Sequence, residues 1–395
     1  MINNKQVIGI IAEYDPFHNG HLKQILHAKQ QLHADYVCVV MSGPFMQRGT
    51  MSMFAPAQRA RMALESGADA VFELPVLFSL RDALGFAMGG VAILDALGFV
   101  DGISFGCEHG EQSALWEIAH LLEEEEEALQ ADIQANTKKG MPYVHLQSLA
   151  IAERLGEQAC AVFQKPNNML GLHYLRALLR LRSSLKPYPV LREGSHHSRS
   201  MDTASPSASF LRHALLHGGL HRALLCLPPA SQKHVQEALF SYHLNRKPFL
   251  DSLILHAIYS MDVRMLAEYP GIAEGLENKI KKEVSLAASV SALLERVKSR
   301  RYTLARLKRL MSYIALDIRR DALQSNTMPG YTRLLGYQKS AESLVRACNA
   351  SCIPVIRRVR EAQSLDLRYD SRAYHLWSLA SSTNEELHTQ QILHV

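Results

Sequence analysis

The amino-acid sequence predicts an α/β protein, with a parallel sheet in its N-terminal half and a mostly α-helical C-terminal half. Through residues 1–191, short apolar segments alternate with segments whose apolar residues recur every three or four positions. This order is typical of parallel strands joined by right-handed helical crossovers. From His221 onward, glycine is sparse and the apolar spacing is helical, which indicates a helical domain. The length of 395 residues favours two domains over one, and we place them at 1–200 and 201–395.

Five short apolar segments are the predicted strands of the sheet. They cover residues 7–12, 36–41, 70–74, 102–107 and 188–191. The first, VIGIIA, has no alternating polar residue, which indicates burial on both faces. The segment at 188–191 is predicted to be the last strand. Ligands of parallel sheets bind at the carboxyl ends of the strands. His18, Ser42 and Gly106 lie at or just after strand ends, so we expect them to meet at that edge.

Helices are predicted wherever apolar residues recur at helical spacing. In the N-terminal half they cover residues 22–32, 56–66, 79–97, 111–130, 147–155 and 172–181. In the C-terminal half they cover residues 235–242, 250–261, 284–297, 302–318 and 341–347. The acidic run at 123–127 is interpreted as the solvated face of its helix.

The motif His18-Asn19-Gly20-His21 stands where the first predicted strand passes into the first helix. A helix N-terminus attracts phosphate, because it offers unpaired N–H groups and a positive partial charge. Gly20 lets a nucleotide approach the backbone, and His18 and His21 share one face of the first turn. Two imidazoles there can donate hydrogen bonds to the α-phosphate of ATP when its phosphorus is attacked. The alternative is a chance motif whose histidines serve the core or a helix cap, and the flanking strand and helix favour ATP binding.

This H-x-G-H motif resembles that of the nucleotidyltransferase superfamily, which includes class I aminoacyl-tRNA synthetases and small adenylyltransferases. The segments EYDPFHNGH, MSGPFMQRG, RARMALESGADAVFELP and FGCE are similar to those of the tRNA(Met) cytidine acetate ligase family. The resemblance implies a Rossmann-like sheet, with His18 and His21 as catalytic residues. Asp15 stands where the family usually has asparagine, so we expect its negative charge to weaken ATP binding slightly. Cys107 stands where serine is common, which is a mild change.

The same resemblance implies an ATP site built from several segments. Asn167 and Asn168 match the family's PNN-x-LG motif, although capping of the next helix alone also explains them. Arg192 matches its R-x-G motif and follows the last predicted strand, where arginine suits phosphate. The expected ATP-binding residues are Ile11, Ala12, Glu13, Tyr14, Asp15, Pro16, Phe17, His18, Asn19, Gly20, His21, Gly106, Asn167, Asn168, Arg192, Ser207, Ser209 and Arg212.

A serine-rich segment, SPSASFLR at residues 205–212, is predicted to begin another helix, with Ser205 as the N-cap and Pro206 at the first position. Its Ser207, Ser209 and Arg212 resemble the second signature of small adenylyltransferases, which implies contacts with the β- and γ-phosphates, together with Mg²⁺. Ordinary helix capping is an equally good interpretation of the serines.

The C-terminal half is the basic part of the chain. The net charge of +5 divides into −4 for residues 1–200 and +9 for residues 201–395, which suggests a polyanionic partner for the second half. The segment 296–309 holds seven basic residues and no acidic one. A solvated helix face is the usual explanation of such charge, but its single sign favours RNA phosphate. The expected tRNA-binding residues are Arg300, Arg301, Arg306, Lys308 and Arg309.

Composition also bears on location and metals. No apolar run reaches the length of a membrane span, and the N-terminal apolar run is too short for a signal peptide. Six cysteines are scattered without a C-x-x-C pair, so we expect reduced thiols, a cytoplasmic location and no metal bound by the protein itself.

The resemblance implies an ATP-dependent ligase. Such an enzyme joins acetate to AMP and then transfers the acetyl group to the wobble cytidine of elongator tRNA(Met), forming N4-acetylcytidine. Two alternatives stay open. A small-molecule adenylyltransferase that acts on a phosphate acceptor has no need of a large basic half. A non-catalytic RNA-binding protein has no need of His18, Gly20, His21 and Arg192.

Overall fold

A computed structural model of the protein describes residues 2, 4–107, 112–137, 143–191, 206–241, 248–299, 301–362, 367–383, 387 and 391–395. Its strands are β1 Val7–Ala12, β2 Tyr36–Ser42, β3 Phe45–Met46, β4 Thr50–Met51, β5 Ala70–Leu74, β6 Gly102–Cys107, β7 Lys186–Leu191, β8 Thr332–Tyr337, β9 Val355–Ile356 and β10 Leu393–His394. The helices of the first half are α1 Asn19–Gln30, α2 Pro56–Glu65, α3 Val76–Ser79, α4 Ala83–Ala96, α5 Gln112–Glu124, α6 Glu126–Thr137, α7 Tyr143–Phe163 and α8 Pro166–Leu181. The later helices are α9 Ala208–Leu216, α10 Leu220–Leu225, α11 Pro229–Phe240, α12 Pro248–Ser260, α13 Val263–Ala267, α14 Leu276–Val284, α15 Val290–Val297, α16 Leu304–Leu316, α17 Arg320–Ser325, α18 Glu342–Ala347 and α19 Arg368–Ser381.

The described strands other than β3 and β4 form one sheet, in the order β10-β8-β5-β2-β1-β6-β7, with β9 beside the start of β8. The run β5-β2-β1-β6-β7 is parallel throughout, which confirms the five predicted strands and the α/β class. Strands β2 and β5 lie on one side of β1, and the later strands β6 and β7 lie on its other side. The carboxyl end of β1 is therefore a topological switch point, where sheets of this kind bind ligands.

Strand β8 extends the sheet beyond this parallel run. It pairs antiparallel with β5, so the prediction that 188–191 is the last strand is wrong. Its Arg333 is buried and forms an ion pair with Glu73 of β5, with 2.7 Å between Nε and Oε2. Tyr374 of α19 donates a 2.7 Å hydrogen bond to the same carboxylate. A buried arginine is tolerated because it is paired, and a partner 260 residues away leaves no local pattern. Both halves of the chain contribute to the sheet, and the domain boundary at residue 200 stays a prediction.

Three of the predicted helices are each divided into two. Residues 79–97 hold the end of α3 and all of α4, and Asp82 caps α4 by accepting a hydrogen bond from its first turn. Residues 111–130 hold α5 and the start of α6. Residues 284–297 hold the end of α14 and all of α15, which Ser289 caps in the same way. A polar cap begins a new helix, whereas apolar spacing alone does not show the break.

Helices cover both faces of the sheet. On one face, α1, α2 and α9–α11 contribute to an apolar cluster that includes Ile10 of β1, Ile25 of α1 and Leu211 of α9. On the other face, the buried side chains of α4, α5, α7 and α8 form one cluster with those of α12–α16 and α19. The C-terminal helices therefore pack into the core of the sheet.

The acidic run at 123–127 is more than the solvated face that was predicted. Glu123 is mostly buried and pairs with Arg176 and Arg180 of α8, at 2.6 and 2.7 Å. Glu126 pairs with the same two arginines, at 3.3 and 2.8 Å. These ion pairs join α5 and α6 to the helix that carries the PNN-x-LG motif.

The Arg333–Glu73 pair gives a test of the sheet extension. Replacing Arg333 by methionine should lower the free energy of unfolding by about 3–5 kcal/mol, because the buried Glu73 carboxylate loses its cation. Arg346→Met is the matched control. Its arginine is exposed and, among the described residues, its one ion pair is with Glu342 one turn away, so its loss should cost about 1 kcal/mol or less. Urea unfolding of the two variants measures the difference, and equal stabilities would contradict the structural role of β8.

Candidate active site

The site begins with the H-x-G-H motif at the junction of β1 and α1. His18 is the N-cap of α1, and its Nδ1 accepts a 3.1 Å hydrogen bond from the Gly20 N–H. The Nδ1 of His21 accepts a 3.2 Å hydrogen bond from the His18 N–H. In a neutral imidazole that accepts at Nδ1, the proton lies on Nε2. Each ring therefore presents an Nε2–H donor while its other nitrogen is held by the backbone.

The two rings are also held by stacking. Their centroids are 3.6 Å apart and their planes differ by 20°. Buried Tyr14 and Phe17 lie against His21, with centroid distances of 4.7 and 5.5 Å. This packing fixes the direction of both Nε2–H groups before any ligand arrives, as preorganised charge stabilisation requires.

Asp15 anchors the loop that leads to the motif. Its carboxylate is buried and accepts hydrogen bonds from the Met53 and Phe54 N–H groups, at 2.9–3.1 Å. The guanidinium of Arg212 lies 3.6 Å from Oδ2 and donates a hydrogen bond to the Asp15 carbonyl. The charge of Asp15 is thus matched inside the protein. Its expected effect on ATP affinity stays a prediction.

Arg59 of α2 organises the same loop and was not recognised from the sequence as part of the site. Its side chain is fully buried. It donates hydrogen bonds to four carbonyls, those of Glu13, Ser42, Gly43 and Phe54, at 2.6–3.2 Å. The sequence does hold a signal, because Arg59 falls on the apolar stripe of its helix, where a charged residue needs a buried partner.

Glu13 joins the β1–α1 loop to the short β3–β4 hairpin. Its Oε1 accepts a 2.7 Å hydrogen bond from the Gln47 N–H. Burial raises the pKa of the Glu13 carboxyl, while Arg212 and Arg48 act to lower it. The hairpin therefore positions Glu13, whereas the H-x-G-H residues are positioned by the start of α1.

Helix α9 approaches the motif from far along the chain. The described helix begins two residues later than predicted, because Ser207 is the N-cap and accepts a hydrogen bond from Phe210 N–H at 3.3 Å. The assignment of Ser205 as N-cap is therefore wrong, and Ser205 itself lies outside the described residues. The Ser209 hydroxyl accepts a 3.2 Å hydrogen bond from Arg212. Arg212 also contacts Asp15, so α9 lies beside the loop that precedes the H-x-G-H motif. The expected contacts of Ser207, Ser209 and Arg212 with phosphates stay a prediction.

Other predicted ATP contacts occupy different positions. Gly106 ends β6 beside β1, at the same sheet edge as the motif. Asn168 is buried and donates a 2.9 Å hydrogen bond to the Val162 carbonyl at the end of α7. The N-cap of α8 is Lys165, so the interpretation of the two asparagines as caps of that helix is wrong. Asn19 donates to the Leu225 carbonyl at 3.3 Å. Arg192 and the Asn167 side chain lie outside the described residues.

The remaining predicted residues of the β1–α1 segment lie together. They are Ile11, Ala12 and Pro16, with Ile11 and Ala12 at the end of β1 and Pro16 joined to Asp15 by a cis peptide bond.

The basic segment lies on α16 and the turn before it. Arg301 is exposed and pairs with Glu274. Arg306 stacks on Tyr302, with 4.8 Å from Cζ to the ring centroid, and donates a 2.8 Å hydrogen bond to the Gly271 carbonyl. Arg309 donates to the Gln47 carbonyl at 3.4 Å. Lys308 is half-buried on the same helix, and Arg300 lies outside the described residues.

The described residues include neither a metal-binding cluster nor a membrane-spanning helix. These residues contain no group of three or more histidines, cysteines, aspartates or glutamates that could hold a metal ion. No helix among them is both long enough and apolar enough to cross a bilayer.

Comparison with known proteins agrees with this geometry. A family model described as HIGH Nucleotidyl Transferase matches residues 5–391. A tRNA(Met) cytidine acetate ligase of Lysinibacillus sphaericus is 33% identical, with 95% of this chain and 94% of the relative covered. The Bacillus subtilis protein of the same name is 31% identical, over 95% of this chain and 92% of the relative. The crystal structure of Thermotoga maritima TmcAL bound with alpha-thio ATP superposes with a TM-score of 0.88, at 25% identity over 99% of this chain and all of the other. With an H-x-G-H site at the switch point of its sheet and relatives matched over nearly its whole length, the chain belongs to the tRNA(Met) cytidine acetate ligase family of HIGH nucleotidyl transferases.

Proposed function

We propose that this protein activates acetate with ATP and transfers the acetyl group to the wobble cytidine of elongator tRNA(Met), which gives N4-acetylcytidine. The observation that carries the proposal is the stacked His18–His21 pair at the start of α1, 3.6 Å between ring centroids, at the switch point of the sheet. The names of the relatives specify the tRNA, the base and the acetate. A solved relative binds an ATP analogue.

In the first step, the acetate carboxylate attacks the α-phosphorus of ATP and pyrophosphate leaves. Protein groups contribute mainly position and charge stabilisation to such a transfer. The Nε2–H groups of His18 and His21 would donate to the α-phosphate oxygens as charge builds there. Ser207, Ser209 and Arg212 would hold the β- and γ-phosphates, with Arg192 beside them.

Mg²⁺ would be bound chiefly by the phosphates of ATP. This assignment follows from the chemistry of the donors, because Mg²⁺ in nucleotide sites is held by substrate phosphates, waters and few protein groups. The described residues supply no cluster of carboxylates that could hold it alone.

In the second step, the exocyclic amine of cytidine attacks the acetyl carbonyl and AMP leaves. The mixed anhydride is already activated, so the step needs a correctly placed base more than a further catalyst. An anticodon base must be splayed out of its loop to reach the sheet edge. We assign tRNA binding to the C-terminal half, chiefly to Arg300, Arg301, Arg306, Lys308 and Arg309, and we place the reaction in the cytoplasm, where tRNA is modified.

The role of His21 can be tested without tRNA. His21→Ala should lower acetate-dependent AMP formation at least about 100-fold, because one preorganised donor to the developing charge is lost. His120→Ala is the matched control, since His120 is an exposed histidine that pairs with Glu124 one turn away on α5. Circular dichroism would check that both variants fold. Near-normal turnover by folded His21→Ala would remove this residue from the mechanism.

The role of α16 and the turn before it in RNA binding can be tested through the salt dependence of tRNA affinity. Exchanging Arg301, Arg306 and Arg309 together for glutamine should reduce the slope of log affinity for tRNA against log salt by about two to three units, because each lost phosphate contact removes roughly 0.7–0.9. Glutamine keeps a donor for the Gly271 and Gln47 carbonyls. Acetate-dependent AMP formation should persist. An unchanged slope would mean that RNA binds elsewhere.

The acyl donor distinguishes the proposed reaction from other acetyl transfers. Labelled acetate with ATP and tRNA should place label in cytidine, with one AMP formed for each acetyl group. Acetyl-CoA in place of acetate and ATP should give no labelled cytidine, because the site has the parts for attack on an α-phosphorus. Label transferred from acetyl-CoA without ATP would contradict the proposal. AMP formation that needs a phosphorylated acceptor instead would indicate a small-molecule adenylyltransferase.

A further inference from the structure

The turn between β3 and β4, residues 47–49, joins the nucleotide loop to the basic helix. On one side, the Gln47 N–H donates to Glu13 at 2.7 Å. On the other side, the Gln47 carbonyl accepts a hydrogen bond from Arg309 of α16 at 3.4 Å. One residue of the turn therefore contacts both the segment that precedes the H-x-G-H motif and the helix assigned to RNA.

At Gly49 the turn lies directly against α16. It has a φ of 73°, in the left-handed region that favours glycine. A Cβ at this position would collide with the backbone of Lys308 and Arg309. The absence of a side chain at Gly49 therefore lets the turn lie against the helix, and the position of the turn is fixed relative to the basic surface.

Arg48 lies between these two anchored residues, and its side chain is exposed. Its neighbour Gln47 donates to the Glu13 carboxylate, so Arg48 stands beside the nucleotide loop, and its charge acts to lower the pKa of the Glu13 carboxyl. An exposed guanidinium on an anchored turn suits a phosphate, which it can bind through two parallel hydrogen bonds.

We infer that Arg48 binds a backbone phosphate of the tRNA beside the cytidine that is acetylated. The inference rests on the proposed function, and it adds a residue from the N-terminal half to the RNA surface of α16. RNA that follows Lys308 and Arg309 toward the H-x-G-H site passes the 47–49 turn. A phosphate contact there would fix the strand at the point where the base must leave the stack to reach the acetyl group.

The test separates RNA phosphate from ATP phosphate as the anion that Arg48 binds. For Arg48→Ala, we expect the dissociation constant for tRNA to rise about tenfold or more, since a charged hydrogen-bond donor is lost. The salt slope should fall by roughly 0.7–0.9. The KM for ATP in acetate-dependent AMP formation without tRNA should stay within about twofold. Arg48→Lys should restore the salt slope but only part of the affinity, because lysine cannot bind bidentately.

Arg346→Ala is the matched control for binding. Arg346 is exposed and lies on α18, which follows β8. The end of β8 pairs with the start of β5, so α18 follows the sheet edge opposite to the H-x-G-H motif. Loss of Arg346 should therefore leave tRNA affinity unchanged. Unchanged tRNA affinity and salt slope in Arg48→Ala would overturn the inference. A raised KM for ATP with normal tRNA affinity would also overturn it and assign Arg48 to the nucleotide. Because tRNA binding is measured directly, a wild-type protein that binds tRNA without acetylating it would refute the proposed function separately.

Discussion

The active-site edge depends on one buried guanidinium. Arg59 donates to the carbonyls of Glu13, Ser42, Gly43 and Phe54, which belong to three separate stretches of chain. Carbonyls at the ends of strands and turns lack partners within their own segments, and leaving them buried and unpaired is costly. A single planar group with five donors can satisfy several of them at once. The β1–α1 loop, the end of β2 and the approach to α2 are thereby held in one arrangement.

This arrangement determines what can come near the two histidines. The Met53 and Phe54 N–H groups, fixed next to Arg59, hold the Asp15 carboxylate, and Asp15 in turn holds Arg212 of α9. Trp377 of α19 donates to the Ser52 carbonyl at 2.9 Å, so the C-terminal helix supports the same stretch from the other side. Segments from the beginning, middle and end of the chain meet at one edge, and the loop before the H-x-G-H motif is positioned by contacts that only the complete fold provides.

The sequence predicted the parts of this fold that local pattern determines. The five parallel strands are continuous apolar runs, and the H-x-G-H motif stands at a strand–helix junction, so both could be recognised. Strand β8 could not, because the partner that permits Arg333 in a buried strand is Glu73, 260 residues away. Arg59 stands on the apolar stripe of α2, which indicates a buried partner, but its four acceptors are backbone carbonyls and no sequence pattern identifies them. The serines of α9 could be placed near the motif only through family resemblance, and their phosphate contacts stay a prediction.

Asp15 shows how the contacts of a charge decide its effect. By sequence alone, an aspartate three residues before His18 adds a negative charge where phosphates are expected to bind. In the fold, its carboxylate is buried against two N–H groups, and Arg212 lies 3.6 Å from it. Both oxygens are engaged, whereas the amide of asparagine offers only one acceptor oxygen. Asp15 therefore attaches the loop to the segment before α2 through two N–H groups and to α9 through Arg212. If Arg212 binds a polyphosphate as proposed, we expect that ligand to share the guanidinium with the carboxylate already in place.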